Sequence, residues 1–335
     1  MSDKTKERKM INVGIIGAGF IVPVFIEATK MVKGYHYRGI AARNEEKLKE
    51  LKKKYKIDYY SLNNDEVLAD PEIDVIYVAV PNDLHYEIAK KALLNNKHVI
   101  MEKPFTPTVR QTKELIELAK EKKKIIFDAV TLVHMPNYEY IRKSLKELGE
   151  IKMINLNFSQ YSSRYDKFKK GIVLPAFDYK KAGGALMDLG IYNINFVVGL
   201  FGEPKKIEYF PNIYRKIDTS GVLVLDYGKF KANLIAAKDC RAPLNICIQG
   251  DLGYLRSDNA SSVIANVKHV DNAGNTEEIA LNKHPEIPHY HEYREFKRLV
   301  EKNDLKKAYE YNELTIKTIK VLEKALKSGK ISFKK

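Results

Sequence analysis

Cysteine is scarce in this chain of 335 residues: there are two, Cys240 and Cys247, with no CxxC pair. That excludes a disulfide framework and a cysteine-rich zinc site, and it fits a reducing, cytoplasmic compartment. No tail concentrates charge of one sign. The excess of 58 Lys+Arg over 43 Asp+Glu is spread over both halves. The densest runs, Lys52-Lys53-Lys54 and Lys122-Lys123-Lys124, fall at the ends of predicted helices, where cations complement the carbonyl end of the helix dipole. With no helix-turn-helix, finger or RNA-binding aromatic motif beside it, this charge reads as a solvated surface, and no nucleic-acid partner is expected. Nowhere do eighteen apolar residues run together, so no membrane span is expected either. At 44% hydrophobic and 10% aromatic residues the composition is that of a globular protein, and the length predicts two domains.

An apolar stretch from Val13 to Ile26 follows Lys4, Lys6, Arg8 and Lys9 and copies the outline of a secretory signal. Gly14, Gly17, Gly19 and Pro23 interrupt it, however, and Glu27 stands where small residues would mark a cleavage site. A strand, a turn and a helix explain those residues better: Val13 to Ile16, Gly17-Ala18-Gly19, then Phe20 to Val32. The turn is a G-x-G-x-x-V variant of the dinucleotide fingerprint. Gly17 permits the sharp turn, Gly19 lets the backbone approach a pyrophosphate, and the helix start at Phe20 and Ile21 offers unpaired amides to the phosphates. Val22 departs from the small third residue of that pattern.

The next predicted strand, Tyr35 to Ala42, ends at Arg43 rather than at the Asp or Glu that would grip a ribose 2′-hydroxyl. Arg43, with Lys47 one helical turn further on, suits a 2′-phosphate, so NADP is favoured and NAD remains open. Further apolar runs end in Pro81-Asn82-Asp83-Leu84-His85 and in Glu102-Lys103-Pro104, and Ile125 to Ala129 adds another strand. These runs alternate with amphipathic helices over Tyr86 to Leu94 and Thr108 to Glu121. Such alternation predicts a parallel sheet covered on both faces, with its polar strand ends gathered on one rim. After about residue 131 the pattern becomes β-rich, as in Met153 to Gln160, Lys206 to Tyr209, Gly221 to Tyr227, Lys231 to Ala237 and Asn245 to Gln249. The expected architecture is α/β throughout: a doubly wound N-terminal Rossmann domain over 1–131 and a second domain over 132–335. Late helices over Tyr290 to Glu301 and Leu314 to Ser328 are expected to cover that second domain.

Taken together, the fingerprint, DVIYVAVPNDLH at 74–85, KHVIMEKPF at 97–105 and GGALMDLGIYNI at 183–194 resemble the Gfo/Idh/MocA oxidoreductases. The resemblance implies that the second domain carries a large, mostly antiparallel sheet. Its open face would support a substrate site or a homodimer or homotetramer interface. It also implies that Lys103 sits between nicotinamide ribose and substrate, that Glu102 reaches a cofactor ribose, and that Pro81, Asn82 and His85 line the nicotinamide side. Asp188 and Tyr192, spaced i and i+4, share a helical face. Many members have His where Tyr192 stands, so the chain is similar to the branch with glucose–fructose oxidoreductase and dihydrodiol dehydrogenase.

The implied activity is hydride transfer between NAD(P) and a carbinol or carbonyl carbon of a sugar, polyol or dihydrodiol-like substrate. The alternatives are an NAD-dependent glycosidase of the same fold or a non-catalytic dinucleotide sensor. In the leading reading Tyr192 and Lys103 manage the hydroxyl proton and Asp188 positions the substrate or the phenol. A free phenol titrates near ~10, so either Lys103 depresses Tyr192 or the tyrosine acts as a hydrogen-bonding acid. Positioned side chains suffice for such a step, and no metal is called for. The segment Val130 to Pro136 lacks the Arg that this branch often carries. Gln160, Tyr161 and Arg164 are the substrate candidates. His284, His289 and His291 form an H-x-H-containing group beside Pro285 and Pro288, which reads as a loop entering a helix rather than a metal site, with one histidine bordering the cleft.

Overall fold

Apolar residues fill both faces of the first strand, and this pattern decides its place at the centre of a sheet. The computed structural model describes residues 10–333; Lys4, Lys6, Arg8 and Lys9 lie outside them. The N-terminal half alternates β1 (Ile11–Ile16), α1 (Ile21–Val32), β2 (Tyr35–Ala41), α2 (Glu45–Tyr55), β3 (Tyr59–Ser61), α3 (Asn64–Ala69), β4 (Val75–Val78), α4 (His85–Leu94), β5 (His98–Glu102), α5 (Val109–Glu121) and β6 (Ile126–Ala129). The strands order as β3-β2-β1-β4-β5-β6, all parallel, so the order in which strands are added to the sheet reverses between β1 and β4. Ligands in such sheets bind beyond the carboxyl ends of the strands at that reversal. All of β4 is buried, as a strand covered on both faces requires. Local signals set the helix starts: Asn44 accepts from Lys47 N at α2, and Thr108 accepts from Gln111 N at α5.

The second half runs α6 (Pro136–Ser144), β7 (Ile151–Ser159), α7 (Tyr165–Lys169), α8 (Ile191–Phe201), β8 (Lys206–Tyr214), β9 (Ile217–Asp226), β10 (Lys231–Ala237), β11 (Asn245–Gly250), β12 (Gly253–Ser257), β13 (Val267–Asp271), β14 (Thr276–Ile279), α9 (Tyr290–Lys302) and α10 (Leu305–Ser328). Its sheet orders as β14-β13-β12-β11-β7-β10-β9-β8, antiparallel except for the β7–β10 pair. Alternation along β7 explains its two faces. Ile154, Leu156 and Phe158 are buried, while Asn155 and Asn157 stay partly exposed. The buried face shares one core with Ile191, Ile194 and Val198 of α8 and with Ile319 and Leu322 of α10. On the opposite face Asn155, Asn245, Cys247, Gln249, Tyr254 and Arg256 line an open surface.

The two C-terminal helices depart from expectation. Rather than covering the second domain alone, α9 returns to the first: Tyr293, Phe296 and Leu299 share a core with Val13, Phe25, Tyr77 and Phe127. Phe25 stacks on Tyr77 at 3.9 Å, and Tyr293 meets Phe25 edge-on at 4.9 Å. The long α10 touches α5 and β6 on one side and α8 and β8 on the other, so it straps the halves together. It also begins at Leu305, where Asp304 accepts from Lys307 N, nine residues ahead of the expected start. One helical stretch, Tyr179–Phe201, is long and apolar enough to cross a membrane by length and composition, but 67% of it is buried inside the fold.

Where α9 meets the first sheet, three carboxyls gather. Glu292 is fully buried, and burial first, then the charge of Glu102, pushes its pKa well up. Burial raises Glu102 as well, and it raises Asp128 of β6 to about 7. Carboxyls with raised folded values hold protons that the unfolded chain releases, so their contribution to stability is present at low pH and is lost as pH rises through the folded value. The unfolding midpoint of Glu292→Gln, which carries no titrating proton there, should therefore gain on wild type between pH 5 and pH 9. Thermal melts across that range check this, and a constant difference between the two proteins refutes it.

Candidate active site

The rim at the carboxyl ends of β1, β4 and β5 is built from the motifs themselves. Gly17 has φ +118°, and a Cβ there would lie 2.1 Å from Ala79 O, so only glycine fits. Gly19 is different, because a Cβ would meet nothing within 4 Å. Phe20 caps α1 with no side-chain hydrogen bond; in the first turn of this twelve-residue helix Val22 N donates to Gly19 O at 3.2 Å and Pro23 has no N–H. An open glycine turn beside an uncapped helix start fits a pyrophosphate. Arg43, just past β2, is exposed and has no ion-pair partner among the described residues. Lys47 pairs with Glu50 of its own helix at 2.8 Å.

Second-domain residues complete the site. Asp188 lies in a π turn, Leu186–Gly190, that runs into α8. Two glycines make this turn possible. A Cβ on Gly183 would meet Pro175 O at 2.6 Å, and one on Gly184 would meet Asp218 Oδ1 at 2.1 Å. Asp218 in turn accepts from Leu186 N at 2.7 Å and from the Tyr209 hydroxyl at 2.8 Å, fixing where the turn begins. Lys103 Nζ then donates to Asp188 O at 2.7 Å and to Oδ1 at 2.9 Å, and stands 4.7 Å from the Tyr192 ring centroid.

The pair at i and i+4 thus straddles a π-to-α junction instead of one α-helical face. Lys103, not direct contact, brings Asp188 and Tyr192 together. Asp188 is spent on lysines and does not reach the phenol. The Tyr192 hydroxyl has no hydrogen-bond partner among the described residues, which leaves it free for a ligand. Burial raises its pKa to about 12, and Lys103 offsets only part of that rise. Tyr192 is therefore a protonated phenol, the acid of the two options open at the sequence level. Burial opposes the charge on Lys103, yet Asp188 holds its pKa above the usual lysine value. Burial also opposes the charge on Asp188, but Lys103 and then Lys238 keep it ionised far below the usual carboxylate range.

Other sequence candidates settle elsewhere. His85 is fully buried, with Nδ1 3.0 Å from Pro104 O and Nε2 3.0 Å from Val80 O. It ties the two rim loops together and does not line a pocket. Asn82 donates to Ala182 O at 2.7 Å, and Asp83 pairs with Lys181 at 3.0 Å, so the Pro81 loop is a brace between domains. Glu102 accepts from the Tyr77 hydroxyl at 2.5 Å and is only 8% exposed.

Of the substrate candidates, Gln160 is exposed just past β7, and the Tyr161 hydroxyl donates to Asp166 at 2.7 Å. The Arg164 guanidinium lies 4.9 Å from the Phe20 ring centroid, so it faces the glycine turn rather than Tyr192. Ile21 opens α1. In the Val130 to Pro136 segment Thr131 is buried and His134 stacks on Phe127 at 5.0 Å, which places the segment in the packing beneath α9. The three histidines make separate contacts. His284 faces Glu286, His291 meets Lys283 O, and no group of three or more His, Cys, Asp or Glu among the described residues is arranged to hold a metal. His289 borders the site: burial and then the nearby Lys103 charge lower its pKa to about 4, so it is neutral. Lys238 is the residue that sequence reasoning missed. Its signal was a charged pair, Lys238-Asp239, directly after the apolar run that forms β10.

Comparison with known proteins places this geometry in context. Residues 11–129 match the profile of an oxidoreductase family with an NAD-binding Rossmann fold, GFO/IDH/MocA, and residues 140–256 match a GFO/IDH/MocA C-terminal domain. The chain is 31% identical over 322 residues to a scyllo-inositol 2-dehydrogenase (NADP(+)) of Bacillus subtilis, covering 95% of this chain and 97% of that protein. It is 30% identical over 267 residues to a trans-1,2-dihydrobenzene-1,2-diol dehydrogenase of Xenopus tropicalis, covering 76% and 78%. A 3-ketoreductase from Actinomadura kijaniata, solved with NADP and TDP-benzene, shares the fold with a TM-score of 0.82 at 21% identity, over 96% of this chain and 98% of that one.

The open space at Gly19 generates a prediction in which folding and binding separate. Gly19→Ala should leave stability within roughly 0.5 kcal/mol of wild type. It should weaken NADPH binding by about tenfold or more, because the added methyl would take up room that a pyrophosphate approaching this turn would need. Equal affinities by fluorescence titration would place the pyrophosphate elsewhere.

Proposed function

The chain belongs to the GFO/IDH/MocA oxidoreductases, and from that footing we propose that it is an NADP-preferring dehydrogenase or reductase of a secondary alcohol on a sugar or polyol. The carrying observation is the juxtaposition of Lys103, Asp188 and the unpartnered Tyr192 hydroxyl on the rim that also presents the open Gly17 to Gly19 turn. Arg43, just past β2 and without an ion-pair partner among the described residues, supports preference for a 2′-phosphate, and the Bacillus subtilis relative is named for NADP(+).

A bound nicotinamide would supply or accept the hydride. Everything else falls to the chain. In the reductive direction Tyr192, kept protonated by burial, donates its phenolic proton to the substrate carbonyl oxygen as the carbinol forms. Lys103 steadies the phenolate left behind, and electrostatic support of this kind costs no reorganisation because Asp188 already holds the ammonium in place. In the oxidative direction the same phenolate accepts the hydroxyl proton. Neutral His289 is a hydrogen-bonding neighbour for the substrate on the α9 side. The open face of the eight-stranded sheet, together with exposed Phe210 and Ile213 on its edge strand β8, supports assembly as a homodimer or homotetramer. Two free cysteines accord with a cytoplasmic setting.

The test begins with titration of NADPH and NADH followed by reduced-nicotinamide fluorescence, since the chain has no tryptophan to add background. NADPH should bind about tenfold more tightly or better, and Arg43→Ala should erase that margin. Binding of neither nucleotide overturns the enzyme reading. A screen of inositols, sugars and other polyols with NADP+ then follows, in which Tyr192→Phe should keep cofactor affinity and lose about a hundredfold or more in turnover. Undiminished turnover in that variant removes the tyrosine from the proton step.

A further inference from the structure

Lys238 is buried to 2% exposure at the end of β10, an unusual place for a charged side chain. Its ammonium donates to Asp188 Oδ2 at 2.7 Å and to Ala176 O at 2.9 Å, and lies 4.5 Å from the Phe177 ring centroid. Asp188 is therefore gripped from both sides, Oδ1 by Lys103 of the first domain and Oδ2 by Lys238 of the second. Two cations share one carboxylate. Were Lys103 and Asp188 alone, their charges would cancel beside Tyr192, and little attraction would remain for a phenolate or a developing alkoxide. Burial pulls the Lys238 pKa down, and Asp188, 2.7 Å from its ammonium, holds it up; with that ammonium charged the group keeps one net positive charge, in a desolvated place where such a charge acts strongly.

We propose that Lys238 is a positioning residue for proton transfer: it fixes Asp188 against Lys103 and offsets the carboxylate's charge, so that Lys103 acts on Tyr192 as an uncompensated cation. The inference rests on the reading of Tyr192 as the proton donor. The groups that bear on it come from every neighbouring element. Lys238 faces Asp188 in the π turn, Asp218 on β9, Lys103 after β5, and the Ala176-Phe177 loop. Tyr192 faces Lys103, Glu102 at the end of β5, Glu292 on α9 and Asp188. His289, ahead of α9, is neutral and adds no charge. Ala176 O also ties Lys238 to the loop that Gly183 packs against, so the same side chain couples the loop to the charge group.

Tyr192 itself is the reporter. Biosynthetic incorporation of difluorotyrosine lowers phenol pKa values into an accessible range, and the Tyr192 fluorine resonance is assigned by its loss in Tyr192→Phe. Lys238→Met should move the Tyr192 titration upward by about one pH unit, because a nearby cation that favoured the phenolate is gone. Lys238→Arg, which keeps the charge, should titrate close to wild type. Asp188→Asn should move the titration downward. The double variant Lys238→Met/Asp188→Asn, which keeps the same net charge, should return it close to the wild-type value and remains informative if the single Met variant does not fold. A residue that only packs would lower the melting temperature of Lys238→Met and leave the titration unmoved, and that result overturns the proposal, as does a double variant that titrates with Asp188→Asn. Because the titration needs neither cofactor nor substrate, its outcome is independent of whether NADPH binds.

Discussion

One carboxylate shared by two ammonium groups is the interaction on which the site depends. Asp188 receives Lys103 from the rim of the parallel sheet and Lys238 from the end of β10. These three residues come from separate elements, so the group exists only when both domains are folded and docked. Burial of unpaired charge is costly, and removing one partner of a buried pair leaves the other exposed to that cost, on the order of 3 to 5 kcal/mol. The triad is thus a condition for docking as much as a chemical device. The lesser braces follow the same line of contact: Asn82 to Ala182, Asp83 to Lys181, and Arg164 over Phe20.

The C-terminal helices make that docking durable. By inserting Tyr293, Phe296 and Leu299 into the core beside β1 and β4, α9 joins the last part of the chain to the first. It also brings Glu292 to bear on Tyr192 and His289 to bear on Lys103. A helix that looks from its sequence like a cover for the second sheet is in fact part of the wall of the first. The apolar stripe on such a helix says that one face is buried, but nothing in its periodicity says against which sheet.

The same distinction separates the candidate residues that met in space from those that did not. Gly17 and Gly19 could be marked in advance from the local demands of a tight turn, whereas Lys103 and Tyr192 were marked by motifs that resemble a family's, and the fold brings these two within reach of each other. His85 could not be placed in advance, since a histidine at a rim motif looks alike whether its ring faces a pocket or bonds two backbone carbonyls, and here the carbonyls of Val80 and Pro104 claim it. Glu102 is drawn inward by Tyr77 of the neighbouring strand, whose register partner Ile100 lies two residues before Glu102. Lys238 was passed over because a lysine ending a strand is, by composition, an ordinary surface residue. Only its burial makes it otherwise.

Periodicity and turn chemistry sufficed to read the alternation of strands and helices in the parallel sheet and the Gly17 to Gly19 turn. These are short-range properties, since apolar runs, glycine conformations and strand ends are written into consecutive residues. The class of chemistry expected of Lys103 and Tyr192 came only from the resemblance of their motifs to an oxidoreductase family, and the order of strands came from the fold. The charge balance around Tyr192, the π turn that presents Asp188, and the return of α9 to the first domain were decided by tertiary structure alone. Each depends on residues far apart in the chain whose side chains lose water together, and the free energy of that desolvation belongs to the packed arrangement and to no single segment.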